Sequence, residues 1–232
     1  MTKPLAIAID GPAGAGKSTI ARILAKELAF IYVDTGALYR AVGYKLLQNG
    51  ISCEDASAVE RVLEHTALDI RYEGSGQVVL LDGEKVAEQL RTPEASMMAS
   101  RCSALPEVRA FLLEMQRGIA RRNNVVMDGR DIGTVVLPDA EVKIFLTASP
   151  LARAKRRFNE LAEKGESVTL EQVLADIEQR DYNDSHRKIA PLKQAEDARL
   201  VDTTELDLEG AFALLLRTVQ AALERNEQKG GC

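Results

Sequence analysis

The sequence predicts an α/β fold, a parallel sheet flanked by helices, on two observations. Short apolar runs alternate with stretches of helical periodicity, the pattern that strands and crossover helices leave. One strand-to-helix junction also carries a complete glycine-rich phosphate-loop motif, Gly11-Pro12-Ala13-Gly14-Ala15-Gly16-Lys17-Ser18. That motif belongs to sheets of this kind, because it needs a strand before it and a helix after it.

The strand readings, in order, are Leu5–Ile9, Ile31–Val33, Val125–Met127, Val142–Leu146 and Arg199–Val201. Each is short, apolar and bounded by polar or glycine-containing turns. Helical patterns occupy Ser18–Ala29, Ala37–Gln48, Pro106–Arg122, Leu151–Lys164, Leu170–Asp184 and Asp207–Glu227. The last is expected to fray into Gln228-Lys229-Gly230-Gly231-Cys232 as a mobile tail. One region breaks the alternation. Between Leu68 and Val86, strand-like runs are separated by Gly74-Ser75-Gly76 and Asp82-Gly83, which reads as a small antiparallel meander. Residues 68–103 are therefore expected to be an insertion between a first core half, 1–67, and a second, 104–232. Its role is either a mobile cover over a substrate or a rigid edge decoration.

Composition bounds the function. The 232 residues carry 30 Lys+Arg against 35 Asp+Glu, a formal charge of -5, with a pI near 5.3. An acidic chain is a poor partner for duplex nucleic acid, whose phosphates need a basic face. Cys53, Cys102 and Cys232 are odd in number and far apart, which fits a reducing compartment and no disulfide framework. Two histidines, His65 and His186, are too few for a histidine metal centre. No apolar stretch approaches the roughly 20 residues that cross a bilayer, and no signal-peptide pattern opens the chain. The expectation is a cytoplasmic protein with no membrane partner. Only 4% of residues are aromatic, so a planar ligand would meet few stacking platforms.

The phosphate loop specifies chemistry. Its glycines let backbone N–H groups converge on phosphate oxygens, and the following helix adds its positive end. Lys17 supplies a point charge to the outer phosphates, Ser18 offers a hydroxyl to Mg2+, and Thr19 follows at the helix start. A nucleoside triphosphate site is the strong inference.

Three further clusters surround it in the reading. Asp34-Thr35-Gly36-Ala37-Leu38-Tyr39-Arg40 follows the second strand, with Thr35 a possible helix cap and Arg40 about one turn inside the helix. Asp128-Gly129-Arg130-Asp131-Ile132-Gly133-Thr134 follows the third. Its Asp128 resembles the acidic strand end that helps to hold Mg2+, while Arg130 and Asp131 are either functional or a surface ion pair. Arg180, Asp184 and Arg187 share one helical face if that helix continues, and otherwise form a solvated stripe. Arg153-Ala154-Lys155-Arg156-Arg157 is equally ambiguous. No guanine-reading Asn-Lys-x-Asp segment is present, which weakens a GTP-switch reading, and the length is small for a mechanical ATPase. Arg40, Arg130, Arg180 and Arg187 form a second set of guanidinium forks suited to a second phosphorylated ligand. Phosphoryl transfer from ATP to a monophosphate unites the two sets.

These residues resemble the bacterial cytidylate kinases over nearly the whole chain. The resemblance rests on Gly11–Thr19, Asp34–Arg40, Asp128–Thr134, Arg180-Asp181, Asp184 and Arg187, then Ala190-Pro191-Leu192. It implies a phosphate-loop kinase fold with a five-stranded parallel sheet, an insertion over the acceptor, and a helical lid around 153–190. It implies transfer from ATP to CMP or dCMP, with Mg2+; the expected partners are these small molecules alone, and the expected state is a monomer. Carried over by position, Ser100, Arg109 and Asp131 face the cytosine, and Arg180 and Asp184 face the ribose. Arg40, Arg130 and Arg187 hold the acceptor phosphate beside Thr35; Arg153, Arg156 and Arg157 fall where the lid begins, and of these Arg157 is taken as the ATP contact, with the choice among the three left open. The catalytic set is Lys17, Arg130 and Asp131. Cytosine suits that assignment: its N4 amino group donates to a carboxylate, while N3 and O2 accept from a guanidinium.

Overall fold

The computed structural model describes residues 3–73 and 76–230, with side chains described as far as Arg225. Five parallel strands form the central sheet in the order β2-β6-β1-β7-β8. They are β1 (Ala6–Asp10), β2 (Ile31–Asp34), β6 (Val125–Gly129), β7 (Val142–Thr147) and β8 (Arg199–Asp202). Every residue of β1 and of β6 is buried, as central parallel strands covered on both faces require. The five strand readings are all present: β1 is shifted by one residue, and the other four run on past their expected ends by one or two.

Helices cover both faces. Helices α1 (Lys17–Glu27) and α8 (Leu208–Gly230) close one side, with Ile7, Ile9, Leu24, Leu146 and Leu215 in a shared core. Each such fully buried aliphatic side chain is worth about 1.5–3 kcal/mol against exposure. On the other side Ala8, Val33, Met127 and Ile132 pack with Ile119 of α5 (Pro106–Arg122). Helix α8 continues to Gly230, three residues past the expected fraying point; Gly231 and Cys232 lie outside the described residues.

The insertion contains a three-stranded antiparallel sheet, β3 (Leu68–Glu73), β4 (Gly76–Leu81) and β5 (Glu84–Lys85), paired in that order. Gly74 and Ser75, read as its first turn, lie outside the described residues, whereas Asp82-Gly83 does form the second, with φ of 52° and 87°. The expected meander is therefore present, and the structure adds two helices absent from the helical readings, one before the insertion and one within it. Helix α3 (Ala56–Glu64) is capped by Asp55, and α4 (Pro93–Cys102) by Thr92 with Pro93 at its first position. Helix α4 lies so close to α2 (Thr35–Gln48) that a Cβ at Gly43 would stand 2.8 Å from the Ala99 nitrogen. Helices α6 (Pro150–Glu163) and α7 (Leu170–His186) form a hairpin with its own small core of Ala154, Leu161, Val173 and Ile177. A capping box between Thr169 and Gln172 starts α7.

Candidate active site

The C-terminal ends of β1, β2 and β6 open on one side of the sheet, where parallel sheets bind ligands. Between β1 and α1 the loop of residues 11–16 curls tightly. Gly11, at φ 152°, lies so near β7 that a Cβ would stand 1.9 Å from the Leu146 carbonyl oxygen. Gly16 caps α1 in the left-handed region with no side chain covering the helix end, and α1 has no acidic residue in its first turn. The positive helix end therefore faces the cleft without a built-in counter-charge. Lys17 is buried, and its Nζ donates to the Pro12 carbonyl at 2.7 Å, which centres the ammonium over its own loop. Burial, then the nearby Arg130, push its pKa below the ordinary lysine value. Such an ammonium gains most from anionic company.

Asp128 ends β6 beneath this loop. Its carboxylate accepts from Ser18 Oγ at 2.8 Å and from the Tyr32 hydroxyl at 2.9 Å. Burial, helped by Asp34, pushes its carboxyl up to about 6. Because the Ser18 proton points to Asp128, the hydroxyl lone pairs are left for the cleft. That donor set fits Mg2+, which takes one or two protein oxygens and completes its shell with water and phosphate.

Asp10 at the end of β1 has a different task. Its two oxygens accept from the Ile132 and Gly133 amides, both at 2.7 Å. They hold a wide helical turn over Ile132–Val136, closed by Leu137 N–H to the Ile132 carbonyl at 2.7 Å. That turn fixes Asp131 and Arg130 at the cleft mouth. Here the side-by-side pair is no surface ion pair. Arg130 Nε donates to Asp184 at 2.7 Å, while Asp131 accepts from Arg109 and, at 3.2 Å, from Arg187.

One continuous cleft joins these groups. Among the predicted site residues, Ala13 through Thr19, Thr35, Arg40, Ser100, Arg130, Asp131, Arg180, Asp184 and Arg187 all line it. Gly11, Pro12, Arg109 and Arg157 do not line it. Arg109 is buried behind Asp131 and also donates to the Ser103 carbonyl at 3.3 Å. Arg157 is exposed and pairs with Glu160 at 3.1 Å, while its neighbour Arg156 does line the cleft and donates to the Thr203 and Leu206 carbonyls.

Two local expectations give way to different geometry. Asp34, rather than Thr35, caps α2 by accepting from the Ala37 amide at 2.9 Å, and the helix begins at Thr35 itself. Thr35 instead donates its hydroxyl proton to the Asp128 carbonyl at 2.7 Å, tying β2 to β6. Helix α7 ends at His186, so Arg187 leaves the face shared by Arg180 and Asp184. Its extended backbone still returns the guanidinium to Asp131.

Several contributors had no signal of their own in the sequence. Ser96, Ser103 and Glu160 line the cleft, as does Tyr39, which the sequence offers only as part of the Asp34–Arg40 run. Buried Arg153 donates to the Ala13 carbonyl at 2.9 Å and pairs with Asp181, fastening the α6–α7 hairpin to the phosphate loop. It was visible only as one of a run of cations.

The sequence profile of one family, described as cytidylate kinase, matches residues 7–221. A cytidylate kinase of Carboxydothermus hydrogenoformans is 55% identical over 213 residues, covering 92% of this chain and 96% of that one. Another from Thermosipho melanesiensis is 48% identical over 94% of this chain and 97% of its own. Among solved structures, an uncharacterised protein from Eubacterium ventriosum shares the fold at a TM-score of 0.53 and 14% identity, over 94% of this chain and 99% of that one.

Proposed function

The chain belongs to the cytidylate kinase family, enzymes that phosphorylate CMP with ATP, and from that premise we propose how its cleft divides the work. One observation carries the proposal: the phosphate loop and four arginines, Arg40, Arg130, Arg180 and Arg187, face a single continuous cleft. A chain that only hydrolysed or bound ATP has no use for the second set.

ATP lies with its phosphates in Gly11–Thr19, against the α1 end and Lys17. Mg2+, when bound, is held through Ser18 with Asp128 behind it, and it supplies charge neutralisation on the phosphates. Arg156, which lines the cleft, serves the ATP side, and Arg157 joins it when the α6–α7 hairpin moves inward as a lid. Residues 68–103 act as the cover of the acceptor side. CMP or dCMP lies opposite the loop, its phosphate between Arg40, Arg130 and Arg187 beside Thr35. Asp184 and Arg180 take the sugar, and Ser100 and Asp131 take the base, with Arg109 behind them rather than against it. Asp131 keeps free lone pairs after accepting from Arg109 and Arg187, enough for the cytosine amino group. Arg109 orients that carboxylate from behind. Uracil would set an acceptor, O4, against it, a buried mismatch that costs several-fold to many-fold in selectivity.

No covalent nucleophile is needed. The acceptor phosphate is largely ionised near pH 7, so it attacks in line without a general base. Lys17 and Arg130 stabilise the charge on the transferring group and hold the two ends in line. Inward movement of hairpin and insertion excludes water, which protects ATP from hydrolysis. A coupled ADP-release assay across CMP, dCMP, UMP and AMP tests the assignment. CMP and dCMP should turn over far faster than the others; equal rates with AMP would sink the base-site reading.

A further inference from the structure

Strand β2 is an edge of the main sheet, so the outward peptide groups of its last residue, Asp34, have no neighbouring strand. Gln77 of the insertion strand β4 supplies the missing partner. Its Oε1 accepts from the Asp34 N–H at 2.8 Å, and its Nε2 donates to the Asp34 carbonyl at 3.2 Å. Only a primary amide in this orientation can do both, because a flipped one would set donor against donor and acceptor against acceptor. The residue so fixed is a branch point. Asp34 Oδ1 caps α2 at Ala37, and Asp34 Oδ2 accepts from Arg40 Nη2 at 3.0 Å. Room for that return is built in: a Cβ at Gly36 would stand 2.9 Å from Arg40 Nη1 and 3.1 Å from Asp34 Oδ1. Gln77 is thus the start of a hydrogen-bonded line running through Asp34 to the guanidinium that faces the cleft.

We infer that Gln77 is a positioning residue for the acceptor: the insertion sets the place of Arg40 through the Gln77–Asp34 amide clamp. The inference rests on the reading of Arg40 as a ligand of the acceptor phosphate. It goes beyond that reading in making the insertion an active determinant of acceptor affinity. Gln77 does not itself touch substrate. Its effect must therefore fall on the acceptor alone and must vanish when Arg40 is gone.

Four variants test this: Gln77→Met, which keeps the length and strand packing without the amide, Gln77→Glu, Arg40→Ala, and Gln77→Met with Arg40→Ala. Gln77→Met should raise the KM for CMP about tenfold, the size expected for one or two lost hydrogen bonds. The KM for ATP and the kcat at saturating CMP should stay within about twofold on the same grounds. Gln77→Glu keeps the acceptor for the Asp34 amide but sets a carboxylate oxygen against the Asp34 carbonyl, so it should raise the KM for CMP at least as far as Met does. In the double variant the Met substitution should add nothing to the effect of Arg40→Ala. An unchanged CMP KM in Gln77→Met, a parallel rise in the KM for ATP, or multiplying effects in the double variant would each overturn the inference. If Arg40→Ala alone leaves the CMP KM unchanged, the reading of Arg40 fails instead, a distinguishable result.

Discussion

At the scale of single residues, the site is built from groups that would be costly anywhere else. Gly11 sits where a methyl group would overlap the Leu146 carbonyl and where the backbone itself disfavours a side chain. Gly11→Ala should destabilise the protein by about 3 kcal/mol or more and abolish ATP binding, measured by thermal unfolding and nucleotide titration. Lys17 spends its burial on phosphate charge, so Lys17→Ala should lower kcat by orders of magnitude while the far-UV circular dichroism is unchanged. Asp10 carries a pH dependence. Its carboxyl is pushed from an ordinary 3.8 up to about 6 by burial, against the pull of two backbone amides. The folded state therefore binds the proton more tightly than the unfolded chain. Stability from this group is greatest below pH 4 and declines as pH rises through 6, by about 3 kcal/mol in all. Denaturant titrations from pH 4 to 7 should show Asp10→Asn with a flatter profile than wild type; parallel profiles would refute the assignment.

At the scale of elements, the sequence was most legible where period and end signals agreed. The phosphate loop declared its strand and helix at once, because motif, apolar run and helical pattern coincide within two dozen residues. Helices α3 and α4 are absent from the helical readings although Asp55 and Thr92-Pro93 mark their starts: α3 is only nine residues long, and α4 falls inside the segment read as the 68–103 insertion. Contacts between distant segments were not legible at all. Nothing in the local sequence around Gln77 points to Asp34, and nothing in the Arg153–Arg157 run says that Arg153 reaches Ala13 while Arg157 faces solvent. Arg187 illustrates the intermediate case: its spacing suggested one helical face, the helix ends one residue earlier, and the side chain reaches the site by another route. Close packing of α2 on α4 gives a test at this scale. Gly43→Ala places its Cβ 2.8 Å from the Ala99 nitrogen and 3.1 Å from the Ala95 carbonyl, so the helices must separate. That overpacking should cost about 1–3 kcal/mol. Because α4 carries Ser96 and Ser100 into the cleft, steady-state kinetics should show a higher KM for CMP and an unaltered KM for ATP.

At the scale of the whole molecule, the acidic average conceals its opposite. The chain bears a net -5, yet Lys17, Arg40, Arg130, Arg180 and Arg187 converge on one cleft, and of its carboxylates Asp34, Asp131 and Asp184 are each occupied by a guanidinium. A field focused in this way attracts a nucleotide without making the surface sticky to duplexes. The sheet order has a whole-molecule consequence as well. Both neighbours of β1, namely β6 and β7, lie far along the chain, and β2 pairs only with β6. A chain ended at Asn123 should therefore lack the cooperative core, and hydrogen exchange should find β1 and β2 unprotected. During synthesis the same order leaves the most deeply buried strand waiting. The ribosome releases Ala6–Asp10 early, then must add on the order of a hundred residues, several seconds or more of work, before a strand exists to pair with it. For that interval the nascent chain presents an apolar edge with no partner, which makes it a natural client for holding chaperones and ties the yield of active enzyme to the pace of translation.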